Sequence, residues 1–325
     1  MKFNKNIFTI TTSEAFEQIA LEIFQYQYEN VKVYRKFCDL LKVIPSEIIK
    51  TEDIPFLPIQ FFKSHQILAN SLSSETIFTS SGTTGSIVSK HYVSDLQLYE
   101  KSFTEGFKRF FGNLENTVIL ALLPSYLERE GSSLVYMVDD LIKQSNNPNS
   151  GFYLNNTPDL IEKLSFLEKT NQNTILLGVS YALLDLMEVK QFQLQNTIIM
   201  ETGGMKGRRK EMIKEELHSV LKQGFGVSEI YSEYGMTELL SQAYSKGNGV
   251  FACPPWMKVL TRDTEDAQTL IKNKTGGINV IDLANINSCA FIATQDLGKV
   301  YPDDSFEILG RFDDSDIRGC NLMVL

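Results

Sequence analysis

This chain has little from which to build a metal cage or a disulfide framework. Its four cysteines (Cys38, Cys253, Cys289 and Cys320) form no C-x-x-C pair, and it has only three histidines. Structural zinc sites draw on closely spaced Cys/His sets, so that class is excluded. Reduced thiols in a cytoplasmic setting are expected instead. Positive charge is also short: 31 basic residues face 40 acidic ones, for a net charge of −9. That balance argues against a nucleic-acid duplex or an anionic membrane as the main partner. No apolar run is long enough to span a bilayer. The opening residues, Met1 to Phe8, show neither an apolar core nor a small-residue cleavage site, so no signal peptide is expected. No internal repeat or low-complexity segment is apparent.

What is present is an ordinary globular composition: 325 residues, 43% hydrophobic and 22% charged. Such a chain can bury a sizeable core in one large domain or two. Residues 13 to 42 read as a long helix or a helix pair. Ser13 is placed to cap it, with Glu14 and Glu17 in the first turn. Phe16, Ile19, Ala20, Ile23 and Phe24 form an apolar stripe that Gln27 interrupts and that Val31, Tyr34, Cys38 and Leu41 resume. The Pro55/Pro58 segment, with Phe56, Phe61 and Phe62, reads as an extended connector. Continuous apolar runs at 117–123, 174–178 and 197–200 predict strands buried on both faces. Helical patterns at 133–143, 181–187 and 207–222 alternate with them. Residues 144–151 read as a surface loop.

Beyond about residue 250 short β-like runs dominate, at 256–261, 278–283, 290–293 and 305–309, and a small distorted barrel is expected. The fold class is therefore α/β, with mostly parallel sheet covered by helices. Three regions are expected: a helical segment 1–75, an α/β core 76–249 and a β-rich subdomain 250–325.

The densest signal lies from Thr79 to Ser86, where six hydroxyl residues and two glycines fill eight positions. Glycines allow tight turns that aim backbone N–H groups at a ligand, and hydroxyls add donors, which suits an anion such as a nucleotide phosphate. The Lys-Ser/Thr ending of a Walker A loop is missing. Three further loops fall after candidate strands, where ligands collect in open α/β sheets: Glu201 to Gly204, Tyr231 to Glu238, and Thr294 to Gly298. Lys206-Gly-Arg-Arg-Lys210 is a local basic cluster of the kind found at a solvated helix start.

In this order the loops resemble those of the adenylate-forming superfamily of acyl-CoA synthetases, luciferases and related ligases. Ser80-Ser-Gly-Thr-Thr-Gly85 looks like its phosphate loop. Tyr234-Gly-Met-Thr-Glu238 looks like Y-G-x-T-E, and Gly310-Arg-Phe-Asp-Asp314 like G-R-x-D-D. Thr294-Gln-Asp296 resembles T-G-D with Gln295 in place of glycine, and Ile317-Arg-Gly319 resembles the I-R-G that follows. The resemblance implies ATP and Mg²⁺. Ser80, Ser81, Gly82, Thr83, Thr84 and Gly85 would cradle the phosphates, and Gly203 and Gly204 would line the adenine pocket. Tyr234, next to Gly235, would stack on adenine. Thr237 would touch a phosphate and Glu238 would hold Mg²⁺. Asp296 would bind the ribose hydroxyls, with Arg311 beside them.

Members of that superfamily continue into a mobile C-terminal domain that carries a catalytic lysine. Here only seven residues follow Arg318, so that domain is expected to be absent, and Lys90 or Lys206 would have to stand in for the lysine. A second resemblance is to the acyl-protein synthetases of bacterial bioluminescence systems. It is carried by Leu123-Pro-Ser-Tyr-Leu-Glu-Arg129, Gly131-Ser-Ser-Leu-Val-Tyr-Met137 and Asp316-Ile-Arg-Gly-Cys-Asn-Leu322. It implies activation of a fatty acid, or another small carboxylic acid, as acyl-AMP. The acyl group is then carried on a cysteine near the C-terminus and handed to an acceptor protein such as a reductase or carrier. Cys320 is the matching cysteine, and Arg318 would favour its thiolate. Two other readings stand beside this one: an ATP-independent acyltransferase that uses preformed thioesters, and a non-catalytic nucleotide-binding scaffold.

Overall fold

Strands form where the chain runs apolar without interruption, and in this computed structural model those runs become the centre of a large sheet. The described residues are 7–81, 87–124, 129–203, 209–210 and 212–312. In chain order the strands are β1 (Leu57–Pro58), β2 (Thr76–Thr79), β3 (Lys90–Val93), β4 (Val118–Leu122), β5 (Gly151–Phe152), β6 (Thr174–Val179), β7 (Thr197–Thr202) and β8 (Tyr231–Tyr234). They are followed by β9 (Ala243–Ser245), β10 (Val250–Ala252), β11 (Met257–Arg262), β12 (Leu270–Ile271), β13 (Gly276–Asp282), β14 (Phe291–Val300) and β15 (Phe306–Arg311). Strands β4 to β8 are parallel, in the spatial order β5-β4-β6-β7-β8. All residues of β4 and of β6 are buried, as helices on both faces of a parallel sheet require.

The later strands do not close into a barrel of their own among the described residues. From β8 the hydrogen-bonded path continues antiparallel through β9, β10, β15, β14, β13 and β11 to β12. Strand β14 also differs from the expected short run ending at Ala293. It continues to Val300, so Thr294, Gln295 and Asp296 lie within a strand; the register shifts there against β13, between Gly277 and Asn279, and again against β15 at Leu297/Gly298.

The N-terminal region is a helix pair, Ser13–Asn30 and Lys32–Leu40, broken at the extended Val31. The cap is Thr12, not Ser13: its hydroxyl accepts from the Ala15 N–H at 3.2 Å. Gln27 interrupts the apolar stripe for a reason. It is fully buried, donates to the carbonyls of Asn285 and Ile286 at 2.9 and 2.8 Å, and accepts from the Ala290 N–H at 3.0 Å. One side chain thus satisfies three backbone groups of the β13–β14 turn. The expected connector at Pro55 and Pro58 contains β1, which pairs parallel with Ile292 and Ala293 of β14.

Helix Leu96–Phe111 starts under an Asp95 cap and stops at Gly112, where φ is 83°. Helix Ser133–Ser145 ends at a left-handed Asn146, so the expected 144–151 loop holds over 146–150, with Gln144 and Ser145 in the helix and Gly151 opening β5. The helix expected over 207–222 runs instead from Lys214 to Phe225. Met212 and Ile213 precede it, and Ile213 is exposed.

Candidate active site

The hydroxyl-rich segment begins at the end of β2, in the β2–β3 hairpin where Thr79 pairs with Lys90. Its base is closed twice. Ser80 N–H donates to the Ser89 carbonyl at 3.1 Å, and Ser89 N–H donates to Ser80 Oγ at 2.9 Å. Phe78 anchors the hairpin from beneath, packing on Tyr99 and Tyr136 with centroids 5.4 and 5.7 Å away. Ser80 is half-buried; Ser81 and Lys90 are exposed. Gly82, Thr83, Thr84, Gly85 and Ser86 lie outside the described residues.

Tyr234 ends β8. Its ring packs against Phe251 and Phe306, and its hydroxyl donates to Asp296 Oδ2 at 2.8 Å. Burial, and then the Asp296 charge, push that hydroxyl well above the usual phenol range. Gly235 has a steric reason to be glycine: a Cβ there would overlap the Glu233 carboxylate. Glu238 is buried, which raises its carboxyl. A hydrogen bond from Ser89 and the charges of Arg311 and Lys63 work the other way. Glu238 therefore stands beside the base of the hydroxyl-rich hairpin.

Asp296 and Arg311 are cross-strand partners on β14 and β15. Arg311 is largely exposed, with Nε 3.7 Å from Asp296 Oδ1. Burial raises the Asp296 carboxyl, opposed by the Tyr234 hydrogen bond and by Arg311 and Arg262. Gln295 occupies a glycine position of the T-G-D pattern without strain, because β14 is extended there and no positive φ is required. Arg311 acts on both carboxylates, Glu238 and Asp296. Four of the resemblance-derived positions, Tyr234, Glu238, Asp296 and Arg311, thus share one electrostatic neighbourhood.

Gly203 follows β7 with φ at 65°, and its carbonyl accepts from Ser180 Oγ at 2.8 Å. Gly204 and Lys206 lie outside the described residues, as do Asp313, Asp314, Arg318 and Cys320. Arg209 of the basic cluster donates to Glu188 Oε1 at 2.7 Å and also pairs with Asp185.

Several buried groups around this site lie outside the set of residues given a role by the resemblance. Glu201 is desolvated, but Lys214 at 2.7 Å, His218 and Ser232 outweigh that and hold its carboxyl down at about 2. On the next strand burial pushes Glu233 up to about 7, despite a hydrogen bond from Thr202. His91 is fully buried, with Nδ1 donating to the Thr237 carbonyl at 2.8 Å and Nε2 lying 3.0 Å from Asn285 Oδ1. Asn285 Nδ2 donates to the Glu238 carbonyl at 2.8 Å. Strand β3 and the β13–β14 turn therefore grip the backbone of Thr237 and Glu238 from both sides. The one available sequence signal was rarity: His91 is one of three histidines and closely follows the hydroxyl-rich run.

Among the described residues no three His, Cys, Asp or Glu side chains cluster as a ready metal cage. A single buried carboxylate such as Glu238 fits Mg²⁺ when substrate phosphates and water complete its shell. No helix of the described residues is long and apolar enough to cross a membrane.

Known proteins share both the pattern and the architecture. A family model described as acyl-protein synthetase, LuxE, matches residues 9–325. The long-chain-fatty-acid–luciferin-component ligase of Vibrio harveyi is 23% identical over 323 residues, spanning 92% of this chain and 84% of that protein. The enzyme of the same name from Aliivibrio fischeri is 22% identical over 340 residues, spanning 95% and 87%. Among solved structures, an open conformation of 2-hydroxyisobutyryl-CoA ligase with 2-HIB-AMP and CoA aligns with a TM-score of 0.70 at 13% identity. That alignment covers 93% of this chain and 70% of the ligase chain. ATP-bound MatB from Rhodopseudomonas palustris aligns at 0.55 and 17% identity, over 72% of this chain and 47% of MatB. At such identities the two structures speak for the fold. The family match covers nearly the whole chain, and with it the conclusion follows: this chain belongs to the LuxE family of acyl-protein synthetases and is an acid-activating ligase on the adenylate-forming fold.

Proposed function

We propose that the protein joins the carboxylate of a long-chain fatty acid to AMP and then passes the acyl group to a thiol. The observation that carries this reading is the convergence of Tyr234, Asp296 and Arg311, with Glu238 within reach of the same arginine charge. The relatives named as long-chain-fatty-acid ligases support the acid, and the ATP-bound neighbour supports the nucleotide.

In the first step a carboxylate oxygen of the acid attacks the α-phosphorus of ATP. The bond to the bridging oxygen breaks, and pyrophosphate leaves with the electron pair. Ser80 and Ser81 offer hydroxyl donors to the phosphates from the closed base of the hairpin. Asp296 keeps acceptor capacity beyond the Tyr234 bond, enough for a ribose hydroxyl. Arg311, exposed at the edge of the cluster, supplies positive charge to an anionic ligand. Mg²⁺, when bound, neutralises phosphate charge, and Glu238 is the carboxylate that would hold it. Such preorganised charge is the main catalytic contribution expected. In the second step a thiolate, that of Cys320 in this proposal, attacks the acyl carbon. A thioester forms and AMP departs with the electrons of the cleaved bond.

Pyrophosphate release with ATP, Mg²⁺ and saturated fatty acids of graded length tests the first step, and intact-mass spectrometry of the same mixture tests the second. The expected result is acid-dependent pyrophosphate and a hydroxylamine-labile mass increase equal to one acyl group, lost in Cys320→Ser. No pyrophosphate with any acid overturns the first step. An undiminished adduct in Cys320→Ser overturns the assignment of the thiol.

A further inference from the structure

At the end of β11, Arg262 is 8% exposed. Its hydrogen bonds among the described residues go to carbonyl-type oxygens and not to a carboxylate. Nη1 donates to the Ile278 carbonyl at 2.7 Å and to Asn279 Oδ1 at 2.8 Å, and Nη2 donates to the Thr294 carbonyl at 2.6 Å. A buried guanidinium without an ion-pair partner in contact is costly to keep. The surroundings are nevertheless shaped for it. A Cβ on Gly277 would lie 2.6 Å from Arg262 Cζ, and one on Gly276 would overlap the Arg262 carbonyl. The Phe312 ring covers the guanidinium with its centroid 5.8 Å from Cζ, and Phe312 N–H returns to the Gln295 carbonyl at 2.7 Å.

Two of these partners, Thr294 and Phe312, border Asp296. Thr294 lies two residues before it, and Thr294 Oγ1 both accepts from the Asp296 N–H at 3.1 Å and donates to the Ile278 carbonyl at 2.9 Å. Phe312 follows Arg311, the cross-strand partner of Asp296. One rigid planar fork thus joins β13, β14 and the end of β15 around a single carboxylate.

We propose that Arg262 is a positioning residue for nucleotide binding, holding the Thr294–Asp296 stretch so that the Asp296 carboxylate meets the ribose hydroxyls. The proposal rests on the reading that Asp296 receives the ribose. Arg262 does not touch the nucleotide; it fixes the backbone that aims the residue which does. Its loss leaves the carbonyls of Ile278 and Thr294 without their donor and lets the strand pair relax where Asp296 must be exact in direction.

Calorimetry of the full-length protein with ATP and with 2′,3′-dideoxy-ATP tests this. Hydrogen bonds to a charged group set the expected wild-type preference for ATP at about tenfold or more. In Arg262→Met the preference should collapse toward equality, mainly through weaker ATP binding, whereas general loosening would weaken both nucleotides alike. Gly277→Ala keeps the charge but crowds the guanidinium, so it should reduce the same ratio, and it decides the matter if Arg262→Met does not fold. Folded variants that keep the wild-type ratio overturn the role of Arg262. A wild-type protein that binds both nucleotides equally overturns the ribose role of Asp296 itself, a different outcome.

Discussion

In β4 every side chain is buried and every one is apolar. In β13 burial is equally complete, yet it includes Asn279 and Asp282, with Arg262 and Thr294 alongside on β11 and β14. In the parallel half, β4 and β6 bury almost only hydrocarbon and are stabilised mainly by transfer out of water, while β7 and β8 also bury Glu201 and Glu233. The antiparallel half buries polar groups that tie one segment to another. Asp282, for example, accepts from the Leu240 and Ser241 N–H groups at 2.7 and 3.0 Å. Strands β4 and β6 are scaffold, and the antiparallel half ties the loops of the site to it. Substitutions in the two halves should therefore separate into losses of stability and losses of function.

The largest expected effect is on function. Glu238→Gln should lower acid-dependent pyrophosphate release by ~10² to 10³, the usual cost of removing one positioned electrostatic group, with little change in melting temperature. Wild-type rates in this variant would remove Glu238 from the site. The scaffold counterpart is Leu120→Ala in β4, which should cost about 2–5 kcal/mol in denaturant unfolding while leaving activity per folded molecule unchanged. A Leu120→Ala protein of full stability but poor turnover would break the contrast between the halves.

The third test falls between them. Burial holds the His91 imidazole down at about 4, so it is neutral at ordinary pH. Removing it in His91→Ala leaves the Thr237 carbonyl without a donor, worth about 1–3 kcal/mol. Because that carbonyl belongs to the Thr237–Glu238 turn, the KM for ATP should rise as well. Loss of stability with an unchanged KM would assign His91 to the scaffold alone.

The fourth is a pH profile. The Glu233 carboxyl is raised by burial from its ordinary value to about 7, so the folded state holds its proton more tightly than the unfolded chain does. That contribution is complete below the ordinary carboxyl range and fades as pH rises through about 7. Glu233→Gln should flatten this decline, gaining stability relative to wild type above neutrality. Parallel stability profiles for the two proteins would show that Glu233 is ionised in the fold. The smallest effect belongs to Thr12→Ala, about 1 kcal/mol of helix capping, with no change in catalysis.

The scaffold was legible because its signal is local. The apolar runs at 117–123 and 174–178 need no partner to be recognised as buried strands. Motif spacing then pointed to Tyr234, Glu238, Asp296 and Arg311. The supports behind them were not legible because their partners are remote in the chain. Gln27 reaches Asn285 across 258 residues, and His91 reaches Thr237 across 146. A glutamine on an apolar helix face reads as an interruption until the turn it satisfies is in place. Arg262 and the Gly276–Gly277 pair that makes room for it carry no motif that would single them out. The helix start at Lys214 was misplaced because Met212 and Ile213 continue the apolar spacing without being helical.

Strand β14 passes from its wholly buried residues, Phe291 to Ala293, to Asp296 with no intervening loop. Against β13, Thr294 to Asp296 face the single residue Ile278, because Ala293 pairs with Asn279 and Leu297 with Gly277. Such a bulge re-aims side chains, so adding or deleting one residue between Ala293 and Asp296 would change where the carboxylate points relative to Tyr234. Evolution could exchange letters in this stretch, as glutamine for glycine illustrates, far more freely than it could change their number.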